Sequence, residues 1–263
     1  GQAGIVNIVL KKEKKNGYNG DIRAGADQRL KPNIGGDINS RQGKTNVFLS
    51  GMWMMNQTNI KGTTDRNNLI DTPKTNIHQT DLNVMNSHFG FARGGFDWFA
   101  DNRNTFTFSG NLMNGNFSPN DNLNTSTDII LPFDTLNSLY NRNSITGRNF
   151  LNLGGSFQYK HIFPKEEKEL TADINYNDAN YTGTGDYKTT YFDTAGAVFG
   201  NIQKQKYFGY GFNKMFTAQT DYSNPIGKNM KIEGGLRSSI KKFEVHSTNS
   251  IYNYDSSDYI KTI

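Results

Sequence analysis

The sequence predicts an all-β chain, an antiparallel up-and-down transmembrane β-barrel, incomplete, with about nine strands of a larger barrel. Three observations predict it: the composition, a recurrent period-two alternation of apolar and polar residues, and the rhythm of the connections. Aromatic residues make up 13% of 263 residues, with 18 Phe, 13 Tyr and 27 Gly. Asn and Thr are abundant while Leu and Ala are sparse, which disfavours helix and favours strands joined by turns. Hydrophobic residues reach 34% and the mean hydropathy is -0.71. No apolar run approaches the roughly 18 to 20 residues of a spanning helix, so helical membrane insertion is excluded. A barrel that turns alternate residues toward lipid and the rest toward a wet interior has this composition.

The alternation justifies the strands in turn. The expected strands are 17–29, 33–42, 45–58, 86–100, 104–117, 147–163, 168–182, 204–223 and 229–243. In the fifth, Phe106, Phe108 and Leu112 alternate with Thr105, Thr107, Ser109 and Asn111. Leu151, Leu153, Phe157 and Tyr159 set the phase of the sixth, and Leu170, Ala172, Ile174 and Tyr176 that of the seventh. Phe208, Tyr210, Phe212, Phe216 and Ala218 share one face of the eighth; Met230, Ile232 and Leu236 mark the ninth. A helix would scatter each set around its circumference. In the fourth strand Phe89 and Phe91 are out of phase with Phe96 and Trp98, and Gly94-Gly95 between them predicts a β-bulge.

After the first hairpin the connections alternate, with long ones over 59–85 and 118–146, a medium one over 183–203 and short ones between. Barrels of the outer membrane show this parity because one rim carries tight turns and the other carries loops. Phe96, Trp98, Phe99, Tyr159, Phe163 and Tyr222 gather beside the short turns, as an interfacial girdle would. At about 3.3 Å per residue and a tilt near 40°, some ten residues cross an apolar band of about 25 Å.

The first residues, Gly1 to Lys12, resemble the end of the plug domain of TonB-dependent outer-membrane receptors. Gly4 belongs to the Gly-rich turn of that motif and Asn7 is its central Asn. The rest of the chain is similar to the Asn-, Tyr- and Lys-rich barrels of the Bacteroidota branch. The resemblance implies two domains: the end of a plug and its linker over 1–15, and the N-terminal part of the barrel over 16–263. It also implies a location in the bacterial outer membrane, with lipid around the barrel. The family barrel has about 22 strands around a plugged lumen. Uptake of a scarce nutrient would be driven by the TonB complex acting through a plug segment upstream of Gly1. An extracellular small ligand and a surface lipoprotein are the further partners expected. Gly1-Gln2-Ala3-Gly4 is not a signal peptide, so the expectation is that the true N-terminus lies upstream.

Residue-level expectations come from the alternation. Asp21, Arg23, Asp173, Asn175, Lys231, Glu233 and Arg237 should point to the interior, where the resemblance has such residues touch the plug. The bland alternative is that they line a wet lumen. External loops carrying Trp53, Phe133, Tyr140, Tyr187 and Phe192 are the expected ligand contacts.

Other chemistry is not indicated. Gly35-Gly36 followed by Gly43-Lys44-Thr45 fails the spacing of a phosphate-binding loop, because Ile38 stands where the first Gly is needed. His78, His88, His161 and His246 are far apart and form no ligand-spaced set. Asn120 to Asn124 is rich in oxygen ligands but lacks the Gly and Glu of a calcium loop, so solvated turn chemistry is the better reading. Neither a nucleophile elbow nor paired catalytic carboxylates appear. There are no Cys residues, and the net charge of +5 is dispersed rather than striped with aromatics as in nucleic-acid binding. No enzyme activity, cofactor, metal or nucleic-acid partner is therefore expected. Two rivals to the importer stand: a non-transporting outer-membrane barrel (structural, secretion-associated or adhesive), and a soluble all-β module that binds glycan.

Overall fold

The computed structural model describes residues 16–262 apart from Asp71, Lys228 and Asn229. Those residues form ten strands: β1 (Gly17–Ala26), β2 (Pro32–Gln42), β3 (Thr45–Asn68), β4 (Lys74–Phe99), β5 (Asn104–Ile130), β6 (Thr135–Ile162), β7 (Glu169–Phe192), β8 (Gln203–Ile226), β9 (Met230–Asn253) and β10 (Asp258–Thr262). They make one sheet in chain order, every neighbour antiparallel, and the sheet is open. The segment carrying Gly4 and Asn7 lies outside the described residues.

Strands β3 to β9 are longer than expected. The stretches 59–85 and 118–146, read from sequence as long loops, are mostly strand, as is about half of 183–203, read as a medium one, and the true connections are the segments 69–73, 131–134 and 193–202. The tail beyond Glu244 continues β9 and adds β10. Backbone pairing holds these polar stretches extended: Lys61 pairs with Leu82, Asp81 with Leu123, and Asn122 with Asn143. With little hydrophobic contrast between their two faces, they give no period-two signal.

The bulge expected at Gly94-Gly95 does not form. Gly94 pairs with Leu49 and Gly110, Gly95 with Phe48 and Ser109, and the register runs on unchanged either side. Phe89 and Phe91 therefore face the opposite way from Phe96 and Trp98. Even Pro119, which cannot donate to a ladder, leaves the register intact: Phe117 pairs with Arg148 and Asn120 with Ile145.

Cross-strand partners share a face, so the register sorts every side chain. One face carries Ile34 and Ile38, Val47 and Leu49, Phe96 and Trp98, Phe106, Phe108 and Leu112, Leu151 and Leu153, Ile174, Phe216, and Ile232, Leu236 and Ile240. These rows start at the end of the sheet formed by the turns 43–44, 100–103 and 163–168, called the proximal end below. They are exposed; Leu236, for example, is 77% accessible. Among the described residues there is no second sheet, no helix and no buried hydrophobic core. Burying one such side chain is worth about 1.5–3 kcal/mol, so a continuous uncovered row needs an apolar solvent, which is lipid.

The turns at the proximal end are tight. Gly43 adopts φ 54 in the two-residue turn between β2 and β3, and its N–H is accepted by Asn16 Oδ1 at 2.9 Å, which ties the turn to the residue before β1. Aromatic rows cross the apolar face beside these turns: Trp98, Phe106 and Tyr159 at centroid spacings of 5.3 and 4.9 Å, then Phe96, Phe108 and Phe157 at 5.0 and 4.9 Å. Tyr159 donates its hydroxyl to Asn104 Oδ1 at 2.7 Å. Ring toward lipid and hydroxyl toward the turn is the geometry of a membrane interface.

Candidate functional site

The face opposite the apolar rows is polar along its proximal half. Asp21 and Arg23 of β1, Asp173 and Asn175 of β7, and Lys231, Glu233 and Arg237 of β9 all lie on it. The register divides them into two groups. Arg237, Gln219 and Asp173 share one cross-strand row, while Asp21 and Arg23 stand on the distant first strand. Arg23 clamps Asp21 at 2.7 Å and Asp37 at 2.9 Å. Lys231 pairs with Glu233 at 2.6 Å, and Asn175 donates to Asp173 at 2.8 Å. Sequence reasoning missed Asp97, which accepts from Asn46 at 3.0 Å and Thr107 at 2.7 Å across three strands. A hollow of about 420 Å³ opens between Glu169, Asp221, Lys231 and Glu233.

The expected loop aromatics mostly sit elsewhere. Trp53 is in β3 on the apolar face, paired with Gly90, not in an external loop. Tyr140, Tyr187 and Phe192 are strand residues of β6 and β7. Phe133 alone of the five falls in a connection, 131–134, where it is fully exposed. Tyr140 packs on Tyr191 at 5.7 Å, and the Arg142 guanidinium lies 4.9 Å from the Tyr187 ring centre. The Asn120 to Asn124 stretch is strand too, not a turn: Asn141 donates to Asn122 at 2.6 Å and Asn124 at 2.8 Å, and Asn143 donates to Asn120 at 3.2 Å. Among the described residues no three His, Asp or Glu side chains converge as a metal site would require.

Halfway along β5 and β6 the two faces exchange character, while β8 keeps Phe208, Tyr210 and Phe212 on the lipid side. Beyond the apolar rows, the lipid side becomes asparagine-rich, with Asn114, Asn116, Asn141 and Asn149 on β5 and β6. The polar face becomes aromatic. One cross-strand row there runs Met54, Phe89, Gly115, Phe150, Tyr181, Gly211 and Val245 from β3 to β9. The next row along includes Phe117, Arg148, Gly183 and Gly209. Rings lie over glycines of the neighbouring strand. A methyl at Gly115 would run into the Phe150 ring, and one at Gly211 would meet Tyr181 Oη at 2.5 Å and Cζ at 2.6 Å. At Gly183 it would meet Tyr207 Cε1 at 3.3 Å. The glycines leave room for the ends of these rings over the neighbouring backbone. Between Phe117, Arg148, Tyr181, Tyr187 and Tyr207 is a hollow of about 750 Å³ floored by Gly183 and Gly209. The period-two run Tyr181, Gly183, Gly185, Tyr187 was the signal for it, hidden inside a stretch read partly as loop.

A family comparison agrees with this architecture. The model of the outer membrane protein beta-barrel family matches residues 161–262, from the end of β6 through β10. A search of curated proteins finds no match. Among solved structures, the chain has a loose likeness to the P. putida toluene transporter TodX, at 9% identity and a TM-score of 0.24, covering 88% of this chain and 87% of that one. Pseudomonas aeruginosa OccK11 (OpdR) gives 8% identity and a TM-score of 0.15, with 87% and 93% covered. The chain has an all-β, antiparallel up-and-down fold of the outer-membrane β-barrel type, and the family match points to the bacterial outer membrane.

Proposed function

We propose that the chain is the first part of the barrel of a TonB-dependent receptor, which imports a scarce nutrient through a plugged lumen. The observation that carries the reading is the polar face backed by the lipid-facing rows. Its charged groups, Asp21, Arg23, Asp173, Lys231, Glu233 and Arg237, suit a wet interior that holds a second domain. The plug-like segment around Gly4 and Asn7 precedes β1 directly, where a plug would enter the barrel. The partners of this reading are the TonB complex, an extracellular small ligand and a surface lipoprotein.

The second reading, a non-transporting surface barrel, draws on the tall distal hairpins, since β4 and β5 stay paired from Phe99 to Lys74. One growth experiment separates the two. A strain lacking the intact protein and a strain lacking the inner-membrane TonB component are compared on media limited by single nutrients. The importer reading expects both strains to fail on one shared nutrient. Normal growth of the first strain where the second fails, on every nutrient tried, would sink it.

A further inference from the structure

We propose that the distal hollow on the polar face is a binding site for a small organic anion carrying a flat ring, with Arg148 taking the charge. The proposal rests on the importer reading in one respect: that face must line a space a solute can reach. Arg148 is exposed and has no ion-pair partner among the described residues, whereas Arg23 in the proximal half is doubly paired. No Asp or Glu lines the hollow, so its charge is positive. Arg148 shares its cross-strand row with Gly183 and Gly209, and the Tyr207 ring lies over both glycines. A ligand's ring can stack on Tyr207 beside the guanidinium. Tyr181 stands one row to one side, Tyr207 one row to the other, and both rings are already held against glycines. Tyr187 is held in turn by Arg142. Rings fixed before binding lose little entropy when a ligand stacks on them. A guanidinium supplies a planar fork for a carboxylate or sulfonate. The volume, about 750 Å³, suits a ligand of modest size.

The test uses the full-length protein extracted from outer membranes, with 2-naphthoate as the anionic probe and 2-naphthamide as its neutral match, and calorimetry as the readout. The expected result is preference for the naphthoate. Arg148→Gln should weaken naphthoate binding about 10- to 100-fold and leave naphthamide unchanged, with Arg148→Lys recovering part of the loss. Tyr181→Leu, which still covers Gly211, should weaken both probes. Heat-shifted gel migration checks that each variant is folded. Equal affinity for the two probes, no binding of either, or an unaltered Arg148→Gln variant would overturn the site. None of these depends on TonB, so failure here leaves the growth experiment standing, and the reverse.

Discussion

The proximal and distal halves of the sheet share one backbone register yet are built on opposite chemical plans. In the proximal half the apolar rows, Val47 to Trp53 on β3 and Tyr159 to Leu151 on β6, face lipid, and ion pairs such as Arg23 with Asp21 occupy the other side. In the distal half asparagines of β5 and β6 stand where lipid-facing residues were, and Phe150, Tyr181 and Tyr207 stand where the charges were. The difference teaches that the surroundings of each half, and not strand propensity, set its pattern. Hydrocarbon on one side forces the proximal code, while water on the lipid side of the distal half frees the other face to collect rings.

That contrast can be broken in several ways. The largest effect is expected from Leu153→Arg, within the lipid-facing row, which should cost about 2–4 kcal/mol in lipid vesicles. The matching change Asn143→Arg, on the same face in the distal half of the same strand, should cost less than about 1 kcal/mol. Equal costs in denaturant titrations would erase the distinction between the halves. Next is Gly115→Val, which drives a side chain into Phe150 and should destabilise by about 1–3 kcal/mol. Adding Phe150→Ala should recover part of that loss, a non-additivity that measures the ring-on-glycine contact. Smaller again, Asn141→Ala removes the hydrogen bonds to Asn122 and Asn124 and should cost about 0.5–1.5 kcal/mol. Hydrogen exchange should show that loss at the distal amides of β5 and β6 and not at the proximal ones.

The smallest effect concerns the turns, which are alike at opposite ends of the strands. The Arg103 N–H, then the Asn104 side chain and N–H, hold the Asp101 carboxyl below the usual carboxylate range. In the turn that joins β1 to β2, Asp27 is lowered by the N–H groups of Lys31 and then Arg29. A carboxyl depressed in the folded state adds stability that is present above its ordinary range and lost as pH falls through the lowered value. Both turns should therefore loosen on acidification. Asp101→Asn should remove that response at 100–103 and leave 27–31 unchanged, which NMR titration of the turn amides would reveal.

Legibility from sequence divides along the same line. The proximal half could be read because lipid imposes strict alternation, and Phe106, Phe108 and Leu112 announce their strand. The distal half could not, since Asn120 to Ser126 shows little hydrophobic contrast although every residue is paired. Gly94-Gly95 misled because a phase change looks the same as a bulge when the chemistry of the two faces exchanges at that level. The charged residues assigned to one face from alternation do share it. Trp53 was assigned to an external loop although it lies within the strand expected over 45–58, and β3 carries it on the apolar face well before the distal turn. Phe117, Arg148 and Tyr207 were missed as a group because only the pairing of β5 through β8 brings them together.

The unbroken register has a consequence for how this chain can change length. With no bulge to absorb a slip, one residue inserted within β5 would turn every later side chain of that strand around. Placed before Phe106, it would turn Phe106, Phe108 and Leu112 to the wet side and Thr107 and Ser109 to hydrocarbon. Insertions and deletions should therefore be confined to the nine connections, or arrive in compensating pairs. Variation among natural relatives would cluster at 193–202, the longest of these, where added residues beyond the Phe192–Val198 bridge disturb no ladder.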